Sequence, residues 1–113
     1  MPKSEGLLGG GAGGGPTYVP ITPTAAVASG TTTINGKQYT MYTTQVSSSN
    51  NQAQSVNITP PSGCSVNFNT LSVPATGFIL LVVYVPTNNN GSVSVTASET
   101  NYTDLLIPIC TGF

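Results

Sequence analysis

Charge is what this chain lacks most. Of 113 residues, the side chains that are charged at neutral pH are Lys3, Glu5, Lys37, Glu99 and Asp104; there is no Arg and no His. Average domains are about 25% charged, and this one is 4%. A net charge of −1 gives no basic footprint, so no nucleic-acid partner is expected. Solubility must come from hydroxyls and amides. So few titrating groups leave charge and stability nearly constant as pH falls. That points to an external setting, an acidic or hot one included; drift in a Ser/Thr-rich exported protein is the plainer explanation.

Without His the commonest general base is missing, and neither a Ser-His-Asp nor a Cys-His arrangement can be built. Glu99 and Asp104 form the one carboxylate pair in the body of the chain. They flank a polar stretch, and loop solubility accounts for them better than a two-carboxylate glycosidase site. The glycine tract Gly6 to Gly15 lacks the Gly-Lys-Ser/Thr of a phosphate loop. Two distant cysteines without His cannot fill a zinc shell. No enzyme, cofactor or metal is therefore expected. No apolar run approaches the 20 or so residues that cross a bilayer as a helix, so no transmembrane segment is expected. Nor does Met1-Pro2-Lys3-Ser4-Glu5 lead into the apolar region of a signal peptide. The body looks extracellular and the start does not. A mature form with an added Met, an unusual export route, or release as part of a particle would reconcile the two.

What is present centres on Phe78-Ile79-Leu80-Leu81-Val82-Val83-Tyr84-Val85, bounded by Gly77 and Pro86. Its β-branched and aromatic content favours a strand. Because a strand alternates its side chains, an unbroken apolar run predicts cover on both faces. Around it, Thr31 to Val46 reads as a hairpin turning at Asn35-Gly36. Ser47 to Gln54 reads as a polar loop. Val56 and Ile58 alternate inward, as do Cys64, Val66 and Phe68, with Leu71 and Val73 capping one end. Val93, Val95 and Ala97 form another inward set. Leu105 to Cys110 reads as a last strand, at an edge or bulged, because Pro108 cannot donate to a ladder. Scarce helix formers and about seven short strands predict an all-β, antiparallel β-sandwich over residues 31–113.

Residues 1–30 read as a separate Gly/Pro-rich arm. The glycine tract is flexible by composition, and Pro16, Pro20 and Pro23 favour an extended path. Tyr18, Val19 and Ile21 give that path something to dock on a neighbouring subunit, by strand addition or in a groove. Ala25 to Gly30 can continue it as a first strand.

From Ser55 to Ile109 the order is alternating strand, turn, short strand, Val-Pro-Ala-Thr-Gly, long apolar strand, Val-Pro-Thr-Asn-Asn-Asn-Gly, Ser-Val-Ser-Val-Thr-Ala, final strand. This resembles the immunoglobulin-like modules of extracellular, surface and virion proteins. The resemblance implies a sandwich and carries over no catalytic residue. There is no Trp, and Cys110 lies near the end rather than on the expected partner strand, so the antibody-type features do not transfer. A jelly roll, with eight strands and similar alternation, is the alternative.

Cys64 and Cys110, an even count in a small charge-poor β domain, predict one disulfide. It would close a loop of about 47 residues, a contribution of about 4 kcal/mol on the chain-entropy model. The alternative is two buried thiols. Asn57, Asn90 and Asn101 begin glycosylation triplets, which a chain so rich in Ser and Thr also produces by chance. The five tyrosines are either edges and interface anchors or a sugar-stacking surface. Together these features predict a structural subunit of an external assembly, extracellular or on a virion surface. The leading version is a virion coat or decoration protein. Its partners would be copies of itself and other structural proteins. An exported filament, pilus-like or surface-layer subunit using strand complementation is the second reading. A secreted adhesin or carbohydrate-binding module meeting a host-surface glycan is the third.

Overall fold

The structure, a computed structural model, describes residues 17–89 and 91–109. The described chain is an all-β antiparallel sandwich of nine strands. One sheet holds β1 (Ile21–Pro23), β2 (Val27–Ile34), β3 (Lys37–Ser48), β5 (Ser65–Val66) and β7 (Ile79–Pro86). The other holds β4 (Gln54–Thr59), β6 (Thr70–Val73), β8 (Val93–Ser98) and β9 (Leu105–Ile109). The first sheet runs β1-β3-β7-β5, with β2 following β1 along the same side of β3. The second runs β6-β4-β8-β9.

The hairpin forms where the sequence places it. Asn35 and Gly36 both have positive φ, 51° and 80°, as a two-residue primed turn requires, and β2 pairs β3 from Ile34↔Lys37 onward. A bulge interrupts that ladder at Ser29, between the pairs Ala28↔Tyr42 and Gly30↔Met41. Gly30 sits there at φ 141°, a conformation that a side chain rarely adopts.

The core follows from period-two alternation. Val46, Leu81, Val83 and Val85 point in from the first sheet, and Val56, Leu71, Val95 and Ile107 from the second, all essentially without exposure. Each such side chain contributes about 1.5–3 kcal/mol by leaving water. Pro108 lies on the edge strand β9 opposite Ser94, where its missing N–H disturbs little.

Several local expectations are corrected. Leu71 and Val73 are not a cap: they lie in β6 and are buried in the core. β3 extends to Ser48 and β4 begins at Gln54, so the polar loop shortens to residues 49–53. Phe68 does not point inward; β5 ends at Val66 and Phe68 is exposed. The strand stops because Asn67 takes over its pairing. The Asn67 N–H donates to Val82 O at 3.0 Å, and Asn67 Oδ1 accepts the Val82 N–H at 2.9 Å.

Residue 30 is not a boundary in the described chain, since β2 runs through it. Val19 and Ile21 are buried in this chain's own core, and β1 pairs with its own β3. Tyr18 is exposed and bridges Thr103. Residues Tyr18 to Ile21, expected on a neighbour, thus close their own sandwich. The physical reason is register: Ile21 falls opposite Ser48, which drops its side chain onto the core rather than outside it. The expected arm otherwise falls on residues 1–16, outside the described residues.

Candidate functional site

The chemistry of the surface differs between the two sheets, and β7 is the cause. Alternation puts Leu81, Val83 and Val85 into the core, so Leu80, Val82 and Tyr84 must face outward. The sequence predicts cover on that side too. The described residues supply none: Leu80 is 44% exposed, Phe78 just before it is 53% exposed, and Val82 and Tyr84 are half-buried. The expectation fails because β2, β3 and β7 lie in one sheet. No described element stacks on its outer side.

Register builds this face into an apolar row. Val82 stands opposite Thr43 on β3, and Thr43 stands opposite Val27 on β2, which is 66% exposed. Leu80 stands opposite Gln45, and Tyr84 opposite Met41. Between the β1–β2 connection and β7 lies a shallow recess of about 320 Å³, lined mainly by Ala25, Val27, Thr43, Gln45 and Leu80. No charged side chain lines it.

Hydrogen bonds fix its rim. The Thr24 N–H donates to Gln45 O at 2.8 Å, and the Gln45 N–H donates to Thr24 Oγ1 at 2.9 Å. Beneath them the buried Thr44 hydroxyl donates to Thr24 O at 2.7 Å. At the bulge, Thr43 Oγ1 donates to Ser29 Oγ at 3.0 Å.

The outer side of the second sheet is different. Ser55, Asn57, Thr59, Ser72 and Ser94 are exposed there, with Leu106 the large apolar exception at the β9 edge. The described charges sit at the two ends. Lys37 opens β3, its Nζ 5.9 Å from the Tyr39 ring centre. Glu99 and Asp104 flank the β8–β9 connection, which is tied to Thr17 and Val19 through Thr103. The alternation of β3 puts Lys37 with Tyr39 and Met41 on the outer side of the first sheet, at its turn end; away from it the described broad faces are uncharged, one apolar along β7 and one coated with hydroxyls and amides.

Cys64 carries a free thiol, half-buried just before β5. Burial pushes its pKa up, against a smaller downward pull from Lys37. The predicted bridge to Cys110 is not seen, and Cys110 lies outside the described residues.

Asn57 is exposed on β4 between Thr70 and Ser98, and Asn101 is exposed in the β8–β9 turn. Asn90 lies outside the described residues. Tyr102 packs against the core, and the five tyrosines do not converge on one described surface. Among the described residues, no three His, Cys, Asp or Glu side chains come together, and no helix is long and apolar enough to cross a membrane. The apolar face is the feature that sequence reasoning missed. Its signal was the β7 run itself, read as buried twice over. No family model matches this chain, and neither a curated protein nor a solved structure matches it.

Proposed function

We propose that this protein is a structural subunit of an external assembly, the leading version being a virion coat or decoration protein. The observation that carries the reading is the apolar row Val27, Leu80 and Val82 on the outer side of the first sheet, set in a surface whose described broad faces bear no charge but Lys37 at the turn end of β3. Contiguous exposed apolar surface marks interaction sites, which supports the reading. A neighbour packing on an uncharged face desolvates hydroxyls and amides rather than ions, which costs far less.

The immunoglobulin-like reading gains support from the packing of the sheets. Two antiparallel sheets, of five and four strands, pack together with β6 of the second against β3 and β7 of the first, as in a sandwich of that general kind. Fold alone assigns no task, so the weight rests on the surface.

A filament subunit is the second reading, and a specific observation favours it. β2 is an eight-residue edge strand without charge or proline, largely exposed, and among the described residues the Ser29 bulge is its one guard against pairing with another strand. Electron microscopy of native material separates closed shells from filaments. Uniform single subunits under all conditions would remove both readings.

A further inference from the structure

We infer that β2 of one copy pairs antiparallel with β2 of a second copy about a two-fold axis at Thr32, joining two first sheets edge to edge. The inference rests on the assembly reading and names one of the joints that hold it together.

Among the sheet edges of the described chain, β2 alone suits strand addition. β5 has two residues and β6 four, and Pro108 interrupts the donor row of β9. β1, on the same side of β3 as β2, has three residues and ends in Pro23. β2 has eight residues, no charge and no proline, and seven of the eight are exposed. A copy that pairs along this edge therefore brings the same strand, and the joint is isologous.

Backbone direction sets the register. Asn35 and Gly36 form a two-residue turn, so Ile34 and Lys37 are a hydrogen-bonded pair. Successive residues of an antiparallel strand send their backbone groups to alternate sides. Thr32 and Gly30 then face β3, as Ile34 does, and Thr33 and Thr31 turn theirs to the open edge. The next strand agrees: the carbonyl of Gln38, opposite Thr33, accepts the Thr87 N–H at 3.2 Å on the β7 side, away from β2. Among the described strands β2 pairs with β3 alone, so the outward groups of Thr31 and Thr33 meet no strand. A two-fold axis at Thr32 sets Thr31 of each copy against Thr33 of the other, and each such pair exchanges two backbone hydrogen bonds.

The same register matches side chains. Ile34 and Val27 stand opposite Lys37 and Thr43, so both lie on the outer side of the sheet. Ile34 of the second copy falls opposite Gly30, which has no side chain, and beside Val27, the neighbour of Gly30 on that side. The exposed apolar side chains near the two ends of β2 thus cover one another. The Ser29 bulge lies just outside the paired stretch 30–34. The antiparallel sense also keeps the two Lys37 side chains at opposite ends of the joint. So short a ladder buries far less than the roughly 800 Å² per partner of a stable interface. The joint therefore forms within the assembly, together with the Leu80 face, and not in isolated pairs.

The test uses full-length protein carrying Thr32→Cys, assembled and then oxidised with diamide, with disulfide-linked peptides read by mass spectrometry. Residue 32 and its counterpart form a non-hydrogen-bonded pair with Cα atoms about 4.5 Å apart, within disulfide reach. The inference expects most chains to be linked in pairs through position 32. It expects no such link in Thr31→Cys, whose two copies stand diagonally at about 7–8 Å. A companion variant, T31K/T33K, sets like charges across the joint and is expected to lose assembly at an unchanged unfolding midpoint. Assemblies of Thr32→Cys without that link, self-links at position 31 instead, or normal assembly of T31K/T33K overturn the inference and leave the assembly reading standing. No large species from wild-type protein overturns the assembly reading and the inference with it.

Discussion

The Thr44 hydroxyl, 1% exposed on an inward position of β3, donates across 2.7 Å to the carbonyl oxygen of Thr24. This bond ties the β1–β2 connection down beside Gln45 and so holds the wall of the recess. Thr44→Val keeps the shape and removes the donor to the part-buried bond with Thr24 O. It is expected to lower unfolding free energy by about 1–2 kcal/mol, read as a fall in the urea midpoint with unchanged slope. Thr44→Ser, which keeps the donor, is expected to lose less.

Gly30 occupies φ 141° at the bulge, and a Cβ built there meets Met41 Cε at 3.5 Å. The space is ordinary van der Waals contact; the backbone conformation is the obstacle. Gly30→Ala is expected to cost about 1–3 kcal/mol, measured by thermal unfolding. Gly77→Ala, also at positive φ but in an open turn, provides the comparison for strain without any neighbour within 4 Å.

The Cys64 thiol is raised by burial, so folding favours its protonated form. That contribution is present below the ordinary thiol pKa, about 8.5, and is lost as pH rises through the higher folded value. The wild-type protein is therefore expected to lose more stability than Cys64→Ser between neutral and alkaline pH. Equal losses in the two proteins would contradict the assignment. Titration with a thiol reagent after denaturation, without reductant, is expected to count two thiols per chain.

The sequence made the fold legible where local chemistry decides it. Asn35-Gly36 dictates a primed turn, and the alternation of Val56 with Ile58 and of Val95 with Ala97 dictates inward faces. It was less legible where length or tertiary context decides. Leu71 and Val73 are two apolar residues in a four-residue strand, too short to show a period, yet pairing with β4 buries both. Phe68 continues the alternation of Val66 on paper, but Asn67 ends β5 and turns the ring outward. Of the site, the β7 run was legible and its open face was not. Periodicity says which residues share a face and nothing about what lies against it, and the partners of Leu80 are set by register with Gln45, with no described element stacked beyond. Val19 and Ile21 failed for a related reason: apolar residues in an arm look alike whether they close their own sheet or another's.

Replacing Leu80 and Val82 together by Thr leaves β propensity intact and removes apolar surface that is exposed at Leu80 and half-exposed at Val82. Surface changes of this kind alter stability by about 0.5 kcal/mol or less, so a fall in assembly would not reflect unfolding. The most direct test is sedimentation velocity on full-length wild-type protein and on L80T/V82T at matched concentration. The account predicts large assemblies from wild type and single folded subunits from the variant, with equal unfolding midpoints. Assemblies of the same size from both proteins, or single subunits from both, would contradict it.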